Sequence, residues 1–131
     1  MLKRDFIMVQ IEELGKVIAQ MIFNRNSNGA RKNAELIQTV YTSLKIEKEF
    51  LLKASLEEIR CYLNQDDSCG LQRMELAAKT LLEESYLVPK KFSKIYKRKA
   101  KDILEYIQKN DTTFSLERVS LVNDINNSLS D

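Results

Sequence analysis

The sequence predicts an all-α protein, on three observations. Only three Gly and one Pro occur among 131 residues, too little turn chemistry for a fold of many short strands. Apolar residues recur at helical spacing along most of the chain rather than alternating. Polar breaks rich in Asn, Ser and Asp cut those stretches into pieces of helical length. Five to six antiparallel helices are expected, as helical hairpins or a compact bundle, because every connection is short. The length suits a single domain over 1–131, with about 126–131 frayed.

The first helix is expected over 5–24. Ile7, Ile11, Leu14, Ile18 and Met21 form one stripe, and Gly15, Val17, Ala19 and Ile22 widen it beyond an ordinary surface helix. So broad a face predicts a central helix or a dimer interface. Gly15 costs about 1 kcal/mol against Ala in a helix, which points to a close approach there. Asn24–Gly29 reads as a turn. A second helix runs from about Ala30 to Leu44, with Leu36, Ile37, Val40, Tyr41 and Leu44 inward; Phe50, Leu51 and Leu52 continue the apolar content without a clear register, to a helix end near Ala54. Ser55 and Glu58 have capping-box spacing, placing a short helix over 56–64. Asp67 or Ser68 would cap the next helix, along Leu71, Met74, Ala78, Leu81, Ser85 and Val88. Pro89 ends it and fits the first turn of its successor. Residues 90–109 carry Phe92, Ile95, Tyr96, Ile103, Leu104 and Ile107 on one side. A last helix over 115–128 holds Leu116, Val119, Val122, Ile125 and Leu129.

Composition narrows the chemistry. The chain has no His, which removes the commonest general base and metal ligand. Its two Cys, Cys61 and Cys69, lack the companions a zinc site needs, and in a cytoplasmic protein they are expected to be reduced. The opening Met-Leu-Lys-Arg resembles a signal peptide, but Asp5, Gln10, Glu12 and Glu13 interrupt the apolar run. No membrane span is expected, and the location expected is the cytoplasm.

The net charge of +2 hides a local excess. Residues 89–101 hold Lys90, Lys91, Lys94, Lys97, Arg98, Lys99 and Lys101 and no acid. On a helix Lys90, Lys94, Lys97, Arg98 and Lys101 gather within about 100° of arc, opposite the apolar stripe. Such a face suits a phosphate backbone, an acidic protein or anionic lipid. Equally it is a solvated face balanced by the acidic segments 33–88 and 102–131, and no aromatic interleaves it for base stacking. Lys99 falls inside the apolar arc. A buried amine there would be a perturbed lysine, but one that snorkels or pairs with Glu83 or Glu84 explains it as well. The pairs Glu12–Glu13, Glu57–Glu58 and Glu83–Glu84 point different ways on a helix and read as solvated. Asn64 to Glu75 loosely echoes a calcium loop, with Cys69 where Gly is required.

Residues 71–107 have the length of a helix–turn–helix repeat, with small Ala78 and Ala100 at packing positions, and look like a degenerate tetratricopeptide-type hairpin. The chain also resembles a family of short, uncharacterised bacterial proteins with tetratricopeptide-like helical folds. That likeness rests on Met1-Leu-Lys-Arg-Asp-Phe-Ile7, the 74–107 hairpin and Phe114-Ser-Leu-Glu-Arg118. It implies the fold and carries no activity, cofactor or site.

The function expected is therefore a non-enzymatic adaptor, without cofactor or metal, that binds another protein. Met8, Ile11, Ile22 and Phe23 are the candidate contact residues, and Lys94, Lys97 and Lys101 would steer an acidic partner. A second copy of the chain competes for the same face, giving a homodimer. The alternative is a nucleic acid or another anionic ligand on the basic helix, held by Lys90, Lys94, Lys97, Arg98 and Lys101.

Overall fold

The computed structural model describes residues 2–64 and 69–130. Seven helices account for most of them: α1 (Leu2–Asn26), α2 (Asn33–Leu44), α3 (Lys48–Lys53), α4 (Leu56–Leu63), α5 (Gly70–Glu84), α6 (Lys90–Asn110) and α7 (Leu116–Leu129). A 3-10 turn at Ala30–Lys32 leads into α2, and no strand forms among the described residues. The all-α class holds, with one helix more than the five to six expected.

A break at Lys45 ends α2 at Leu44, the bound expected for the second helix. Lys45 takes a left-handed backbone (φ 58°), and its N–H and that of Ile46 return to the carbonyls of Thr42 and Tyr41. This is a Schellman ending with Lys where Gly usually stands. Ile46, just beyond, is buried and seals the turn. The apolar stretch that follows, expected to end near Ala54, forms the separate short helix α3. The Ser55–Glu58 capping box forms at the start of α4, with both reciprocal bonds present.

The helix at the centre is α5, which packs on α1, α2, α4 and α6, while α6 in turn carries α7. Met74, Ala77, Ala78 and Leu81 of α5 are fully buried, and Ala100 of α6 is as well. Around them close Leu14, Ile18 and Met21 from α1, Val40 and Leu44 from α2, and Ile59 and Leu63 from α4. Ile103, Leu104 and Ile107 of α6 and Ile125 of α7 complete the core. Each such aliphatic side chain contributes about 1.5–3 kcal/mol by leaving water.

α1 is not the central helix that its broad apolar face suggests. It buries Ile7, Leu14, Ile18 and Met21, while Ile11, Val17 and Ile22 are half-buried and Ala19 is exposed. Gly15 permits no close approach within the chain, because a Cβ there would meet nothing within 4 Å.

α5 begins at Gly70, preceded by Cys69 in a left-handed conformation (φ 64°). The expected caps Asp67 and Ser68 lie outside the described residues. Gly70 has a steric reason: a Cβ would sit 2.7 Å from Asn64 Oδ1, which accepts the Gly70 N–H. α5 stops at Glu84, short of Val88. The N–H groups of Tyr86 and Leu87 tighten onto the carbonyls of Glu83 and Glu84, and the Ser85 hydroxyl donates to the Leu82 carbonyl. A serine competing for backbone carbonyls, followed by Val88 before Pro89, turns the chain early. At the other end, α7 stays helical to Leu129, and Ser130 still bonds to Asn126.

Candidate functional site

Because Ile7, Leu14, Ile18 and Met21 fix which side of α1 faces inward, the opposite side is set too. Met8, Ile11, Ile22 and Phe23 share one flank, an arc of about 120° at helical spacing. Met8 is 46% exposed and Phe23 64%, while Ile11 and Ile22 are half-buried at the flank's inner edge. Gly15 lies between them. Cys69 Sγ is 3.5 Å from Met8 Sδ, so one end of the flank abuts the start of α5. Phe6 and Val9 are also exposed but lie further round the helix.

The basic residues of α6 divide into two groups. Tyr96, Ala100, Ile103, Leu104 and Ile107 face the core and turn the cations outward. Lys97 donates to Ser128 Oγ at 2.6 Å and lies 5.3 Å from the Tyr86 ring centroid. Lys101 pairs with Glu105 at 3.4 Å. Lys90, Lys91, Lys94 and Arg98 have no carboxylate within 4 Å among the described residues. Of the acids expected to balance them, Glu105 meets Lys101, whereas Glu75 and Asp111 hold the buried Arg118 and Glu117 pairs with Lys79. Phe92 and Ile95, expected on the inward side, are 43% and 49% exposed. α5 has ended before it could cover the first turns of α6, and Ile95 points about 120° from the centre of the buried stripe.

Glu83 and Glu84 are buried, not solvated. Glu83 is only 3% exposed. Arg25 donates to both of its oxygens, Nε to Oε1 at 2.8 Å and Nη2 to Oε2 at 3.0 Å. That bidentate bond holds the Arg25 guanidinium above its ordinary pKa, against the opposing effect of burial. Glu84 accepts from Tyr41 Oη at 2.9 Å and from Lys48 Nζ at 3.2 Å. Burial first, and the Glu84 charge second, push the Tyr41 hydroxyl well above its usual value. For Lys48, burial acts downward, but hydrogen bonds to Tyr96 and Glu84 outweigh it and raise the pKa. Both carboxylates fall on the sides of α5 that its neighbours cover, while its open side carries Gln72, Glu75 and Lys79.

Lys99 does not reach Glu83 or Glu84. Its Nζ donates to the Ala54 carbonyl at 2.6 Å, closing the end of α3. Burial lowers its pKa, with Asp102 and Glu58 acting the other way. Arg73 is a second cation without a carboxylate among the described residues. It is buried, donates from Nη1 to the Leu63 carbonyl, and leaves Nε unbonded.

Cys61 is exposed and Cys69 half-buried, and both are free. Of the calcium-like span, Gln65–Ser68 lies outside the described residues. Asn64 is engaged with Gly70, and Glu75 with Lys79 and Arg118. Among the described residues no three Cys, Asp or Glu side chains come together as a metal requires. No helix there is long and apolar enough to cross a membrane.

A cavity of about 150 Å³ opens between α1, α5, α6 and α7. Ile22, Leu82, Leu121 and Ile125 give it apolar walls, and Tyr86 stands at its edge with Arg25 4.5 Å from the ring centroid. A space of this size takes a benzene-sized group, below the usual 300–1,000 Å³ of small-molecule sites. Its lining charges balance: Arg25, Lys79 and Lys97 against Glu83, Glu117 and Asp124. Sequence reasoning missed this cavity and Tyr86, since neither leaves a spacing signal across four helices. Compared with models of known protein families, with curated proteins and with solved structures, the chain matches none.

Proposed function

We propose that this chain is a non-enzymatic helical domain of the cytoplasm that binds another protein through the outer flank of α1. One observation carries the reading: Met8 and Phe23 are largely exposed on a helix whose other side is already buried in the core. Large exposed apolar side chains grouped on one face mark contact sites, and an aromatic anchor supplies much of the binding energy. Gly15, open to solvent within the same flank, lets a partner's backbone come close. Ile22 joins the flank to the cavity beside α5 and α7, a recess for a partner's apolar side chain. Steering of an acidic partner falls to Lys94, because Lys97 and Lys101 are engaged within the chain. The α5–α6 hairpin is read as a tetratricopeptide-like unit of this domain.

A second reading, an anionic ligand on α6, is supported by Lys90, Lys91, Lys94 and Arg98 having no carboxylate partner among the described residues.

The test compares the wild-type chain with a Met8→Ser, Phe23→Ser double variant. Light scattering gives the mass of each, and tagged protein captures partners from native cytosol with and without nuclease. A discrete protein captured by the wild type, resistant to nuclease and lost in the variant, supports the adaptor. A wild-type dimer that becomes monomeric in the variant assigns the flank to a second copy. Identical mass and identical captured proteins in both chains would sink the α1 reading.

A further inference from the structure

We propose that the first half of α6 is a docking surface for an anionic lipid membrane, an inference that rests on the anionic-ligand reading of that helix. The electrostatic half of the argument is the set of cations without partners. At helical spacing Lys90, Lys94, Arg98 and Lys91 occupy one arc of about 100°, and none has a carboxylate within 4 Å among the described residues. Such a set suits a surface of repeated negative charge better than a single anion, since the side chains spread over more than two helical turns. Near an anionic leaflet each cation strengthens binding about fivefold, so four together give several hundredfold at low salt.

The apolar half of the argument decides which anionic surface. Phe92 and Ile95 are 43% and 49% exposed on the same turns; at helical spacing Ile95 lies about 40° beyond the edge of the cation arc and Phe92 about 100° beyond it. Lys91 Nζ is 5.1 Å from the Phe92 ring centroid, so cation and ring reach outward together. A nucleic acid rewards flat rings that stack and gives an isoleucine no return. The boundary between headgroups and acyl chains takes both, with aliphatic and aromatic side chains immersed and lysine stems reaching back to the phosphates. Lys97, Lys99 and Lys101 are tied to Ser128, Ala54 and Glu105, which leaves the end of α6 nearest Pro89 as the contact. The attachment is peripheral and reversible, because one ring and one isoleucine anchor it.

Sedimentation of the full chain with lipid vesicles tests this. The chain is expected to pellet with vesicles of phosphatidylcholine mixed with phosphatidylglycerol, to stay in solution with phosphatidylcholine alone, and to be released as salt rises. Lys94→Glu with Arg98→Glu should weaken retention at least about tenfold. Phe92→Ser with Ile95→Ser should weaken it severalfold at unchanged charge, whereas Phe23→Ser on α1 should leave it as it is. Circular dichroism confirms that each variant folds, and Lys91→Gln with Arg98→Gln replaces the charge reversal if that pair does not. No retention on phosphatidylglycerol vesicles overturns the proposal, as does retention insensitive to the α6 cations or to the loss of Phe92 and Ile95. A parallel gel-shift with duplex DNA separates the layers. DNA bound through the same cations without vesicle binding keeps the anionic-ligand reading and discards the membrane. Binding to neither discards both.

Discussion

α1 and α5 exchange the roles that their sequences suggest. α1 is the longer and more apolar helix, yet it buries a single stripe and leaves Met8 and Phe23 exposed. α5 carries Arg73, Glu75, Lys79, Glu83 and Glu84 on fifteen residues, yet it is buried on nearly every side. Its charges are matched by Arg25 of α1, Tyr41 of α2, Lys48 of α3, the Leu63 carbonyl of α4 and Arg118 of α7. Each buried charge on α5 is therefore a cross-link to a different helix. A central helix can be polar if its neighbours supply partners, and a peripheral helix can be more apolar than the single stripe it buries.

The comparison is broken most directly at α5. Leu81→Ala empties a fully buried site against several helices and should cost about 3–4 kcal/mol in urea unfolding. Glu83→Ala leaves the half-buried Arg25 guanidinium without its carboxylate and should cost about 2–3 kcal/mol. A loss below about 0.5 kcal/mol, the range of ordinary surface changes, would mean that α5's charges do not hold the helices together.

The Glu84 cross-link has a pH signature. Tyr41 keeps its proton in the folded state to a higher pH than its ordinary value of 10.0, because burial raises its pKa. The unfolded chain then binds fewer protons than the folded one above that value, so stability falls as pH rises. Tyr41 adds a slope approaching 1.4 kcal/mol per pH unit. Chemical unfolding of wild type and Tyr41→Phe across this alkaline range should show a shallower decline in the variant. Equal slopes would show that Tyr41 does not carry the dependence.

On α1 the expected change is smaller and of opposite sign. Gly15→Ala meets no neighbouring atom and should stabilise the isolated chain by about 0.5–1 kcal/mol. The same substitution should weaken partner binding if a second backbone crosses there. A gain in stability with no change in binding would leave the open glycine without a role at the interface.

Much of this fold is legible because periodicity survives folding. Ile7, Leu14, Ile18 and Met21 are buried as their spacing requires, and the Ser55–Glu58 box caps the helix it announces. The end of α2 at Leu44 is legible too, whereas the left-handed backbone of Lys45 that makes it is not, because that position carries no glycine. The exposure of Phe92 and Ile95 was hidden as well. For Phe92 it depends on α5 stopping at Glu84, where the Ser85 hydroxyl bonds back to Leu82, whereas Ile95 stands about 120° from the centre of the buried stripe. The candidate α1 flank followed from the stripe opposite it, whereas the Tyr86 cavity drew residues from four helices.

What the amino-acid order determines unaided is each helix's inward face and most of its ends. Those depend on spacing, caps and Pro89, all interactions within a few residues. Which helix stands at the centre is decided only in three dimensions, since it turns on how many neighbours each face meets. The same holds for the fate of every charge on α5 and α6. Glu83 is buried and Lys94 has no carboxylate partner because, among the described residues, a partner across the fold exists for one and not for the other, and no spacing along the chain records that difference.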